Sequence, residues 1–158
     1  MCKFASFIIT KDREFWLETS DSHSEIITAN KLHEVGAHGP NLVKVEITPS
    51  PKLKVWPSLK AWDYKIDQDI LPEWHIPATT EKRARAALLR RYKAGFKTVD
   101  ASGATGLKEL SCPEATYVDA SGATGLKELS CPKAHTVDAS GCNPELIIKA
   151  REGATIIR

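Results

Sequence analysis

The chain has 158 residues, 42% of them hydrophobic and 27% charged, and a formal net charge of +2. That length suits one ordinary domain or two small units sharing an interface, and the composition excludes a disordered chain. So small a net charge singles out neither a nucleic acid nor a membrane through the field of the whole molecule.

Residues 3–10 (KFASFIIT) have the β-branched and aromatic enrichment of a strand. Phe15, Trp16 and Leu17 form a second short strand, so a hairpin is expected. The apolar run from Phe4 to Ile9 stops at Lys11–Asp12, too short for a signal peptide or a membrane span. A cytoplasmic protein with no membrane partner is therefore expected. Ser22-His23-Ser24-Glu25 has the spacing of a capping box, which opens a helix running to about Lys31–Glu34. Ile26, Ile27, Ala29 and Leu32 supply its buried stripe. Gly36, Gly39 and Pro40 make a loop. From Leu42 to Thr48 the pattern alternates, with Val43, Val45 and Ile47 on one side and Lys44 and Glu46 on the other. That is a half-buried strand.

Residues 49–78 are rich in Pro and Trp, and 62–66 make a further strand. The tryptophans here are read mainly as core anchors, each burying about 150–250 Å². Thr79 or Thr80 caps the next helix, which ends near Lys93–Ala94 with Gly95 as its stop. Ala84, Ala87, Leu88 and Tyr92 share one arc of that helix, and Lys82, Arg83, Arg90 and Lys93 the opposite one.

Residues 99–113 read VDASGATGLKELSCP, and residues 118–132 repeat the same letters. The period is 19 residues. Val99, Val118, Val137 and Ile156 fall on one register, Leu110, Leu129 and Ile148 on another, and Cys112, Cys131 and Ala150 on a third. A fixed short period with apolar residues at constant phase marks a stacked-coil solenoid. The last copy, with Asn143-Pro144 and the charges of Lys149, Arg151, Glu152 and Arg158, is read as a cap that blocks further strand pairing.

The L-x-x-L-x-C core followed by V-D-A-S-G-x-T resembles the bacterial leucine-rich repeats of the short IRREKO type, over residues 99–158. The present repeat is shorter by about two residues, and Ala115 or Ala134 stands where that family carries an Asn that satisfies the turn. Two geometries stay open: the leucine-rich-repeat turn and a generic solenoid with two strands per coil. The segment WDYKIDQDILPEWH resembles short uncharacterised proteins of phages and prophages, which implies no activity.

The expected fold is therefore α+β: an N-terminal α+β unit over 1–78, a bridging and capping helix over 79–96, and a three-coil solenoid with 19-residue coils over 97–158. Seven basic residues and no acid lie between Lys82 and Lys97, so that stretch carries +7 and the rest of the chain −5. Lys82, Arg83, Arg90 and Lys93 are its candidate phosphate-binding residues. Asp100, Asp119 and Asp138 stack one period apart and are read either as a ligand-facing stripe or as turn formers bonding local N–H groups.

No HExxH, GxGxxG or P-loop pattern occurs, and no cofactor or metal is expected. Asp67, Asp69 and Glu73 have no base or nucleophile beside them and are read as turn and helix-start residues. Cys112 and Cys131 are read as stacked buried thiols. No catalytic residue is assigned. The expected function is a non-enzymatic interaction or structural module with an unidentified protein partner. A nucleic-acid-associated protein using residues 82–97 is the alternative, and a small hydrolase with Cys2 as N-terminal nucleophile a weaker one.

Overall fold

A computed structural model describes residues 3–158, so Cys2 and any reading built on it lie outside the described residues. The chain divides into two units. One holds the residues up to Thr48 with Asp63–Arg91, and the other holds Pro49–Trp62 with Tyr92–Arg158.

The first unit is built on four strands in mixed sequence order. β1 (Ser6–Thr10) pairs antiparallel with β2 (Glu14–Phe15). Next come α1 (His23–Ala29) and a small hairpin of β3 (Val35–Gly36) and β4 (Gly39–Pro40). β5 (Leu42–Thr48) and β6 (Asp63–Ile66) complete an antiparallel sheet of order β2-β1-β5-β6. Ser22 caps α1 by accepting from the Glu25 N–H, as the S-x-x-E spacing predicts. The helix ends earlier than its apolar stripe suggests. Asn30 turns its side chain back onto the Ile26 carbonyl, and Lys31 adopts a φ of 53°, which breaks the helical run. Ala29 is exposed as a result, while Ile26 and Ile27 pack with Ile8 and Leu42.

The opposite face of β1 carries Phe7 and meets α2 (Pro77–Ala94). This helix begins at Pro77, whose fixed φ suits a first helical position. Thr79 and Thr80 are therefore inside its first turn rather than at its cap, and Thr80 is buried and hydrogen-bonded to His75 Nδ1 at 2.9 Å. The buried arc holds Ala84, Ala87, Leu88 and, unexpectedly, Arg91, whereas Tyr92 is exposed. Arg91 tolerates burial because Asp21 pairs with it at 2.8 Å and its guanidinium lies over the rings of Phe4 and Phe7. With both faces of the sheet covered, Glu46 is buried as well, where the alternation alone places it at a solvated face.

The second unit is a β-solenoid of about three turns with 19-residue coils. β7 (Thr98–Asp100), β9 (Tyr117–Asp119), β11 (Thr136–Asp138) and β13 (Thr155–Ile157) form one parallel sheet. β8 (Glu109–Ser111), β10 (Glu128–Cys131) and β12 (Ile147–Ala150) form a second. Each coil thus supplies two strands, and the register is the 19-residue one: Val99 pairs with Val118, Val118 with Val137, and Val137 with Ile156. Stacked valines, leucines and alanines fill the interior, with Val118, Leu126, Leu129 and Cys131 at 0% exposure. Each buried Leu or Val contributes about 1.5–3 kcal/mol relative to exposure. At Gly122 the turn has a φ of +68°, and a Cβ at Gly125 would overlap the Thr105 carbonyl oxygen, so both positions require glycine.

Residues 49–62 belong with the solenoid rather than with the strands before them. Leu53 is buried and its carbonyl oxygen lies over Gly106 of the first coil. Trp62 is buried and stacks on Phe96. At the far end the charged residues take up partners within the solenoid. Lys149 pairs with Glu128, and the Arg158 guanidinium donates to the Pro144 and Leu146 carbonyls, so the end charges bind rims and turns. They leave the inner row of the last coil open: Ile156 is 37% exposed, and no described strand pairs with the outer edges of β12 and β13.

Candidate functional site

The basic helix proves to be largely neutralised within its own unit. Arg83 and Arg90 both bind Glu14, at 2.6 and 2.9 Å. Burial works to raise the Glu14 pKa, but the two guanidinium groups outweigh it and hold the carboxyl below its ordinary value. Arg85 pairs with Glu81 one turn back. Lys82 and Lys93 are exposed and have no ion-pair partner among the described residues.

The aspartate column behaves as turn chemistry. Asp100, Asp119 and Asp138 each accept from the backbone N–H two residues on, at 2.9 Å in all three coils. Asp138 also accepts from the Ser140 hydroxyl, and these hydrogen bonds lower its pKa. Asp69 and Glu73 are exposed, and Asp67 lies apart from them in role, facing His23. The stacked thiols are inert: burial pushes Cys131 up to about 11, and burial with Cys131 beside it pushes Cys112 higher still. No helix among the described residues is long and apolar enough to cross a membrane.

What the second unit does present is a cleft of about 430 Å³ beside the first coil. Its walls come from three stretches that the sequence keeps apart: Trp56 and Pro57, the helix end from Tyr92 to Phe96, and Val99 with Ser111–Glu114. A row of rings organises it. Trp56 lies 5.4 Å from Trp62, Trp62 5.9 Å from Phe96, and Phe96 5.6 Å from Tyr92, centroid to centroid. Trp62 is the fixed member, since its indole N–H donates to the Pro57 carbonyl at 2.6 Å. Trp56 is only half-buried and Tyr92 is 39% exposed, so the outer rings retain apolar surface to offer.

Charge around the cleft is unequal. Glu114 is engaged by Lys133 at 2.7 Å and by Lys97 at 3.5 Å. The hydrogen bond and charge of Lys133 hold its carboxyl below the ordinary range. Lys93 stands at the same rim without a counter-charge, so the rim is net basic. Of the candidate binding residues singled out from sequence, only Lys93 falls at this cleft. Trp56, Tyr92 and Phe96 escape sequence reading because nothing in their spacing says that they meet. The available signal is the density of Trp and Pro in a segment without regular periodicity.

The chain matches no known family model, no curated protein and no solved structure.

Proposed function

We propose that this protein is a non-enzymatic interaction module, and that the cleft beside the first coil is its contact site. The occupant is an extended peptide segment of a protein partner that inserts a prolyl or other apolar side chain between Trp56 and Tyr92 and sets an acidic residue on Lys93. The observation that carries this reading is the ring row of the cleft, with its innermost ring fixed and its outer rings partly exposed. Aromatic and prolyl walls with one unpaired charge suit recognition of extended chain, because rigid rings offer large apolar area at low entropic cost. No set of distinct nucleophile, base and orienting groups lines this cleft, and its one thiol is held protonated by burial. The same reading carries a leucine-rich-repeat-type surface and a phage or prophage setting in the cytoplasm, both resting on the sequence resemblances.

Selection of a displayed random-peptide library on the full chain tests it. The expected result is a consensus holding Pro or an apolar anchor next to Asp or Glu. Binding of the selected peptide should weaken at least about tenfold in Tyr92→Ala and in Lys93→Glu, since a central aromatic anchor is commonly worth more than about 1.4 kcal/mol. Peptides whose affinity ignores both substitutions would remove the cleft as the contact site, and so would a selection that enriches nothing.

A further inference from the structure

We infer that the first unit holds a divalent-cation site built from His23, Glu46 and Asp67. The ligand atoms that these residues offer lie within 4.8 Å of one another. Three separate elements bring them together. His23 is the first residue of α1, immediately after its Ser22 cap. Glu46 sits on β5, opposite Ser6 of β1. Asp67 follows β6 and is fixed by its N–H donating to the Lys44 carbonyl at 2.8 Å.

The imidazole is oriented as a ligand would be. Its Nε2 lies 3.1 Å from the Val45 carbonyl oxygen, and that acceptor selects the tautomer with a proton on Nε2. Metal-binding histidines are commonly held in this way by a carbonyl or carboxylate on the other ring nitrogen. Nδ1 then directs a lone pair toward Asp67, whose Oδ2 is 3.4 Å away. Two ligand atoms bonded at about 2.1 Å to a tetrahedral metal lie about 3.4 Å apart, so this pair already has the required separation. The remaining separations are no more than 4.8 Å.

Charge balance favours a cation over a bare hydrogen-bonded cluster. Glu46 is 4% exposed, and a buried carboxylate is costly without compensation. Its Oε1 accepts one backbone N–H, from Lys3 at 2.9 Å. Among the described residues no cationic side chain comes within ion-pair distance of it. Lys65 does not help, since it is largely exposed and touches only Asp67 Oδ1, at 3.9 Å. A divalent cation with neutral imidazole balances both carboxylates at once. One nitrogen and two carboxylate donors suit a first-row cation between Mn²⁺ and Zn²⁺. Asp67 is 38% exposed, so the open side of the site reaches solvent and leaves coordination positions for water.

Co²⁺ and Zn²⁺ are the probes, titrated into the chelator-treated full chain by calorimetry and by the Co²⁺ visible spectrum. The expected result is one equivalent bound, with affinity reduced about tenfold or more in Asp67→Asn and in Glu46→Gln. The double variant His33→Ala/His38→Ala, which removes loop histidines outside the cluster, should bind as the parent does. Asp67→Asn changes a half-exposed residue, so it reports on binding even where Glu46→Gln fails to fold. Absence of a stoichiometric site would overturn the inference, as would binding that survives Asp67→Asn or that disappears with the loop histidines.

Discussion

The second and last coils of the solenoid share a register but not an environment. Leu129 and Ile148 are paired neighbours in one sheet, and Val118, Val137 and Ile156 follow one another in the other. In the second coil the inner residues are wholly buried, because a coil lies on each side. In the last coil Ile148 is half-buried and Ile156 is 37% exposed, because only one side is covered. An apolar residue at the right phase is therefore not by itself a core residue. In a one-dimensional stack, stability resides in the interfaces between coils as much as in the coils.

The widest contrast should come from truncating one row at two heights. Leu129→Ala removes a fully buried side chain with neighbours above and below, and is expected to cost about 2–5 kcal/mol. Ile148→Ala should cost clearly less, since part of its side chain already faces water. Urea unfolding of both variants measures the difference, and equal losses would show the last coil to be as enclosed as the second.

Backbone crowding sharpens the comparison at a second row. Gly125→Ala places a Cβ against the Thr105 carbonyl of the coil before, and an overpacked position of this kind costs about 1–3 kcal/mol. Gly153→Ala, in the last coil, meets no atom within 4 Å. It still requires a φ of +77°, so its cost is conformational and should be of the order of 1 kcal/mol. Thermal melts in which Gly153→Ala is the more damaging would reverse the assignment of crowding to the inner coils.

The thiols give a smaller effect that leaves the fold intact. Cys131 is fully buried and pushed up to about 11, so at pH 8 few molecules carry its thiolate. Cys142 is only partly buried, so its sulfur is reachable from solvent, although burial raises its pKa too and its Sγ donates to the Ala120 carbonyl. A disulfide reagent at pH 8 should therefore modify Cys142 before Cys131 and Cys112 in the folded chain. Mass mapping of the first modified site checks this, and early labelling of Cys131 would mean that the stack opens readily.

The solenoid was legible because its signal is repeated. A 19-residue phase over Val99, Val118 and Val137 needs no knowledge of distant contacts, and parallel in-register stacking follows from it. The two-strand coil was one of two geometries the letters left open. Legibility fell wherever partners come from far apart in sequence. Arg91 looks like one more cation in a basic run until Asp21 pairs with it 70 residues away. Glu46 reads as solvated because alternation describes one face of a strand and says nothing of what covers the other. Tyr92 was placed in the core arc by helical phase, yet that phase gives no warning that the helix changes units at its last turn. The cleft and the cation cluster were hidden for the same reason, since each draws on three segments with no shared spacing.

The smallest expected effect is the most exacting test of the open end. Ile156→Lys puts a charge on the inner row of the last coil, where the equivalent Val118 is at 0% exposure. A lysine at an enclosed position would have to neutralise or drag the row apart, at a cost of several kcal/mol. At the open end its ammonium reaches water while its stem covers the same apolar patch, so the change in stability should stay within about 0.5 kcal/mol. Equilibrium unfolding over a range of protein concentrations separates the alternatives. A small, concentration-independent change means that the last coil faces solvent. A large loss that grows as the parent protein is concentrated means that the row is covered by association in solution, and the contrast between the two coils then belongs to the isolated chain alone.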